Sequence, residues 1–170
     1  YGVTATASDV VWPYRARQPT AGRLQVDSAD LRPLLGALLP TVPRPPTPAT
    51  LRFIATAAAD GAARAEAQVT TTGATMSATA ALVAGTLDAK LQATVDDLAG
   101  FAWLAALPSA SGGSASLRFA YRGALARRGD GLPVGELTLA LAGKALVVAG
   151  RRLGELTIDA RMTDGRAHTA

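Results

Sequence analysis

The chain has no cysteine, so disulfides and thiolate metal sites are excluded from the start. It has one histidine, His168, and a single imidazole cannot build a zinc site with carboxylates that sit on turns. Nor is a serine nucleophile fixed beside that histidine. Aromatic residues make up only 5% of the chain, and much of its 49% apolar content is alanine. Alanine buries little area, so a close-packed core would be thin, and a thin sheet suits this composition better than a thick globule. Uninterrupted apolar runs are short as well, none reaching the roughly 18 residues needed to span a bilayer.

Enzymatic motifs are equally scarce. The glycine-rich stretch SASGGSAS is not followed by the Gly-Lys-Ser/Thr of a phosphate loop and reads as a linker. Asp96 and Asp97 are adjacent carboxylates, but neighbours in a strand or at a cap point different ways and make poor acid/base partners. A helix cap beside a solvated aspartate accounts for them. No catalytic constellation and no cofactor site is read from the chain. The net charge of +4 and the pI near 10.1 come from basic residues that are scattered or paired near turns, as at Arg127-Arg128 and Arg151-Arg152. Nucleic-acid binders concentrate such charge and interleave it with aromatics, so no nucleic-acid partner is expected. Solvated strand edges, where charge discourages wrong pairing, are the expected use.

What the chain does have is alternation. In GTLDAKLQATV, Leu87, Ala89, Leu91, Ala93 and Val95 interleave with Asp88, Lys90, Gln92 and Thr94. Leu137, Leu139 and Leu141 repeat the pattern, and so do Leu156, Ile158, Ala160 and Met162 against Thr157, Asp159, Arg161 and Thr163. Leu51 with Phe53, and Leu117 with Phe119 and Tyr121, do the same. Period-2 alternation gives strands with one apolar and one wet face, typical of antiparallel sheet. Asp60-Gly61, Asp130-Gly131 and Asp164-Gly165 are hairpin dipeptides, and Gly73, Gly85, Gly143, Gly150 and Gly154 are read as further turn points. The spacing predicts a long meander of short strands.

The chain also repeats itself. Leu24-Gln25 recurs as Leu91-Gln92, Asp30-Leu31 as Asp97-Leu98, Pro40 as Pro108, and Leu51-Arg52-Phe53 as Leu117-Arg118-Phe119. These shifts of 66 to 68 residues define one repeat-built β domain over residues 1–170. Repeat 1 covers about 22–87, repeat 2 about 88–154, and a partial third runs over 155–170. After Asp30 and Asp97, leucines and aromatics at three- and four-residue spacing predict one short helix per repeat, capped by the aspartate and ended by proline. The segments that follow, PTVPRPPTPAT and PSASGGSAS, read as surface linkers. Tyr1 is not a methionine and the last residues break off after a strand-like segment, so we expect an excerpt of a longer protein.

The repeat from Asp30-Leu31 to Pro40 and from Asp97-Leu98 to Pro108, with GRRLGELTIDARMTDG from Gly150 to Gly165, resembles the AsmA-like superfamily. Within it, the likeness is to TamB-type subunits of the translocation and assembly module. The resemblance implies an elongated antiparallel meander curled into a U-shaped, taco-like open groove with an apolar concave face. It implies an inner-membrane-anchored periplasmic parent that conducts phospholipid between the two membranes of the envelope or supports outer-membrane protein assembly. Its partners would be phospholipid acyl chains and, through other parts of the parent, an outer-membrane barrel of the Omp85 type. The family's membrane anchor and C-terminal domain have no counterpart in this sequence.

The residues expected to line the groove are Leu87, Leu91, Val95, Leu137, Leu139, Leu141, Leu156 and Ile158, with Asp88, Lys90, Thr157 and Asp159 outside. A one-sided apolar sheet must cover that face with something, and two short helices are too little for so many strands. Two other readings stay open: a closed β-sandwich whose faces cover each other, and an envelope scaffold with no lipid cargo.

Overall fold

Among the described residues, ten strands succeed one another: β1 (Val3–Val11), β2 (Ala21–Ser28), β3 (Ala49–Ala57), β4 (Ala63–Thr71), β5 (Ala74–Val83), β6 (Thr86–Val95), β7 (Gly112–Arg127), β8 (Pro133–Val148), β9 (Arg151–Thr163) and β10 (Arg166–Thr169). The computed structural model describes residues 2–11, 21–30, 32–33, 48–98, 112–127, 133–148, 150–163 and 166–169. All ten strands lie in a single sheet, in chain order, each antiparallel to the next. The meander is open, with β1 and β10 at its two edges. A closed sandwich is not formed, because the described strands supply one layer and no second sheet to face it.

Short hairpins explain the order from β3 to β6, since antiparallel neighbours need only a tight turn. Asp60-Gly61 turns between β3 and β4 as its sequence predicts. The Asp60 carboxylate accepts a hydrogen bond from the Ala62 amide at 2.9 Å, and Gly61 takes φ +83°. Between β5 and β6 the turn is Ala84-Gly85, with φ of 49° and 78°, closing the Val83–Thr86 pair. Two left-handed residues in a two-residue loop match the right-handed strand twist. Alanine is poorly suited to the first of these positions. Ala84→Asn is therefore expected to raise stability by about 0.5–1 kcal/mol, read as a higher urea midpoint at unchanged slope.

Several expectations are corrected. Gly143 and Gly154 are not turn points; they lie inside β8 and β9. The pairing register shifts between Gly143 and Leu146, and Leu146 pairs with Gly154, which has φ +78°. A Cβ on Gly143 would sit 2.6 Å from the Leu146 side chain, so the missing side chain makes room for Leu146 to fold over the bulge. The glycine–serine stretch read as a linker is strand from Gly112 onward. Gly113, at φ +99°, passes so close to the Ala145 and Lys144 carbonyls that a Cβ would meet them at 2.6 and 2.7 Å. Close backbone approach, rather than looseness, explains that glycine. The strands β7 and β8 also run to 16 residues each, longer than the turn spacing suggests.

The expected helix of each repeat is not shown among the described residues, where only Arg32 and Pro33 are α-helical. The Asp30 carboxylate accepts a hydrogen bond from the Arg32 amide at 3.0 Å, the geometry of an N-cap. Leu98 is in 3₁₀ conformation. The remainder of both segments, 34–40 and 99–108, lies outside the described residues, as do the turns at Asp130-Gly131 and Asp164-Gly165. The Arg32 guanidinium also reaches the Asp30 carboxylate at 2.7 Å. The side-chain hydrogen bonds from Arg32 lead the causes that hold the Asp30 carboxyl below its ordinary value of 3.8. A depressed folded pKa means that this contact is at full strength above pH 3.8 and is lost as pH falls through the lowered value. In an NMR pH titration the Asp30 carboxyl should show a midpoint below 3.8, returning toward it in Arg32→Ala.

The matched segments of the two repeats fall on β2 and β6 and on β3 and β7, so the period is four strands. Pairing differs slightly between the copies. Phe53 faces Val26, whereas Phe119 faces Leu91, the counterpart of Leu24. That offset is two residues, and an even slip leaves every side chain on its own face.

Candidate functional site: an uncovered apolar face

Registers decide which side chains share a face, and here they align five transverse rows of apolar residues. The central row runs Ala5, Val26, Phe53, Ala67 and Ala78 over β1–β5, then Leu91, Phe119, Leu139 and Ala160 over β6–β9. On one side of it lie Ala7, Leu24, Ala55, Ala65, Ala80, Ala89, Tyr121, Leu137 and Met162. On the other lie Val3, Ser28, Leu51, Val69, Met76, Ala93, Leu117, Leu141 and Ile158. Two shorter rows flank these: Gly22, Ala57, Ala63, Leu82 and Leu87, continued by Gly123 and Gly135, and then Ala49, Thr71, Ala74, Val95, Ala115, Gly143 and Leu156.

No charged residue occurs in the five rows. The polar groups that do occur are tied to backbone: the Ser28 hydroxyl donates to the Asp30 carbonyl at 2.8 Å, Thr71 to Pro48 at 3.3 Å, and Tyr121 to Ala124 at 2.9 Å. Satisfying these groups locally keeps them from interrupting the apolar surface.

All eight residues expected to line a groove stand on this face: Leu87, Leu91 and Val95 from β6, Leu137, Leu139 and Leu141 from β8, Leu156 and Ile158 from β9. Asp88, Lys90, Thr157 and Asp159 stand on the opposite face. The face also reaches well beyond the residues singled out from sequence, into β1–β5 through Val3, Leu24, Val26 and Met76. Alternation in LQVD and ATMSATA carries the same signal, diluted there by alanine and serine.

The face is open. Leu24, Met76, Leu156 and Ile158 are each 40–43% exposed, and among the described residues the buried apolar ones are only Ala49, Ala74 and Leu146. At about 4.8 Å between strands and about 6.7 Å between alternate residues, nine strands by five rows cover on the order of 1,000 Å². That is about twice the largest apolar patch on an ordinary monomer, roughly 300–600 Å². Near β1–β6 the alanines lower the surface into an open apolar depression of about 530 Å³, bounded by Val10, Leu24, Leu82 and Leu87.

The opposite face is hydrophilic and mixed in charge. Thr50, Thr70, Thr75, Thr94, Ser116 and Thr157 form one polar row, interrupted at Ala142. Arg52 lies 3.5 Å from Asp27, and Arg161 lies 3.2 Å from Glu136. These pairs are exposed and contribute roughly 0–1 kcal/mol each. Among the described residues, no group of three or more histidines and carboxylates is placed to hold a metal ion.

No protein-family model, no curated protein and no solved structure matches this chain.

Proposed function

We propose that this chain is a stretch of a lipid conduit, in which phospholipid acyl chains lie against the apolar face while the polar face meets water. One observation carries the reading: five rows of apolar side chains cross the sheet without a charge, and large members of them remain exposed. Burying acyl chains there contributes ~0.8 kcal/mol per CH₂, and a continuous uncharged lining spares a sliding chain any site where a charge must be desolvated. The likeness to AsmA-like proteins extends this reading. The sheet would curl into a U with the apolar rows on its concave side and one short helix per repeat at its mouth. The parent would stand in the periplasm, anchored in the inner membrane, passing phospholipid toward the outer membrane and supporting protein assembly there. Such a segment binds and guides; it does not catalyse.

A scaffold without cargo has the same sheet but a dry apolar face. Mass spectrometry of lipid extracted from the purified, folded chain separates the two. A conduit segment should retain phospholipid at close to stoichiometric amounts. Recovery of folded, monomeric protein free of lipid would favour the scaffold.

A further inference from the structure

The hydrophilic face carries apolar residues at several positions, among them Ile54, Ala81, Ala142 and the diagonal neighbours Ala120 and Ala140. Around Ala120 and Ala140 in their two rows stand Lys90, Gln92, Arg118, Thr138, Asp159 and Arg161, and alanine is a poor strand former on a wet surface. Their small side chains floor an open basin of about 450 Å³ between β6 and β9. Its rim comes from the polar face: Lys90 and Gln92 on β6, Arg118 on β7, Thr138 on β8, Asp159 and Arg161 on β9.

The register explains the arrangement. Lys90 stands opposite Ala120 and Arg118 opposite Ala140, while Thr138 pairs with Arg161 and Ala140 with Asp159. Three cations thus ring an apolar floor, facing one rim carboxylate. Arg161 is engaged by Glu136 at 3.2 Å. Lys90 and Arg118 form no ion pair among the described residues.

We propose that this basin binds a phosphate group through Lys90 and Arg118, with Arg161 as the third cation. Guanidinium and ammonium groups donate charge-assisted hydrogen bonds to phosphate oxygens, and Arg does so with two parallel donors. The basin lies on the face opposite the proposed acyl-chain surface, so it stands or falls independently of the conduit.

The probe is inorganic phosphate, titrated at constant ionic strength into the ¹⁵N-labelled chain and followed by NMR. Saturable shifts are expected around Lys90, Arg118, Ala120 and Ala140. The double variant Lys90→Gln/Arg118→Gln should weaken binding at least fivefold, and Asp159→Asn should tighten it. As a control, Arg23→Gln/Arg64→Gln removes the same charge from elsewhere on that face and should leave binding unchanged. Circular dichroism confirms that each variant stays folded. Shifts that do not saturate, or that survive the Lys90/Arg118 change, would overturn the proposal. Flotation with phosphatidylglycerol vesicles against phosphatidylcholine vesicles identifies the source of the phosphate. Preferential flotation lost in the same double variant assigns it to a lipid headgroup; saturable binding of inorganic phosphate without that preference assigns it to a free anion.

Discussion

Leu139→Arg is expected to strip the chain of bound lipid while leaving its sheet intact. Leu139 stands in the central apolar row between Phe119 and Ala160, with Leu137 and Leu141 two residues away on the same strand. An arginine there sets a charge among acyl chains, and a charge without a partner is costly to desolvate. The protein itself pays little, because the face is open and the guanidinium can reach water beside its aliphatic stem. Lipid recovered with the purified protein should fall at least fivefold, with the β-sheet circular dichroism signal and the yield unchanged. Thr157→Arg, on the opposite face beside Ala142, should retain wild-type lipid. Equal lipid content in Leu139→Arg and wild type would sink the conduit reading.

Gly135→Val should have the opposite signature, loss of fold rather than loss of cargo. Gly135 pairs with Gly123 across β7 and β8 at φ +147°. A Cβ at this position would lie 2.5 Å from the Gly123 Cα and collide with the Arg122 carbonyl, which is backbone and cannot swing aside. Relieving the clash requires separating the two longest strands of the sheet. A cost of about 3 kcal/mol or more is expected from strain and overpacking together. Urea denaturation measures it. Gly61→Ala is the matched comparison: its φ of +83° is also left-handed, but no atom lies within 4 Å of the added Cβ. Only the left-handed penalty of about 1–2 kcal/mol applies there. If Gly135→Val costs no more than Gly61→Ala, close backbone approach is not what fixes that glycine.

These two variants separate what the apolar face does from what holds it up. Few side chains are buried among the described residues, and the sheet is stabilised by its backbone ladder and by cross-strand pairs such as Leu91–Phe119 and Leu117–Leu141, each worth roughly 0.2–1 kcal/mol. An apolar face that does little to hold the sheet together is free to serve a ligand.

Much of this was legible in the residues. Alternation in TLDAKLQATV, GELTLAL and ELTIDARMT assigned every side chain of those strands to a face, because a strand turns its side chains by half a revolution per residue and needs no partner to do so. The strand-rich meander followed from hairpin dipeptides such as Asp60-Gly61, whose turn is closed by the aspartate's own hydrogen bond to Ala62. The capping aspartate at Asp30 was legible for the same local reason. What sequence could not decide is what lies opposite what. Gly143 and Gly113 read as turn and linker residues and Gly135 carried no signal of its own, yet each is a strand residue whose missing Cβ makes room for Leu146, the Ala145 carbonyl or the Gly123 backbone. The basin around Ala120 and Ala140 likewise exists only because pairing brings Lys90, Arg118 and Arg161 around them. Strand pairing joins residues distant in the chain, and its register and bulges belong to two strands at once. The face of a residue is written in its own strand; its neighbour across the ladder is written only in the fold.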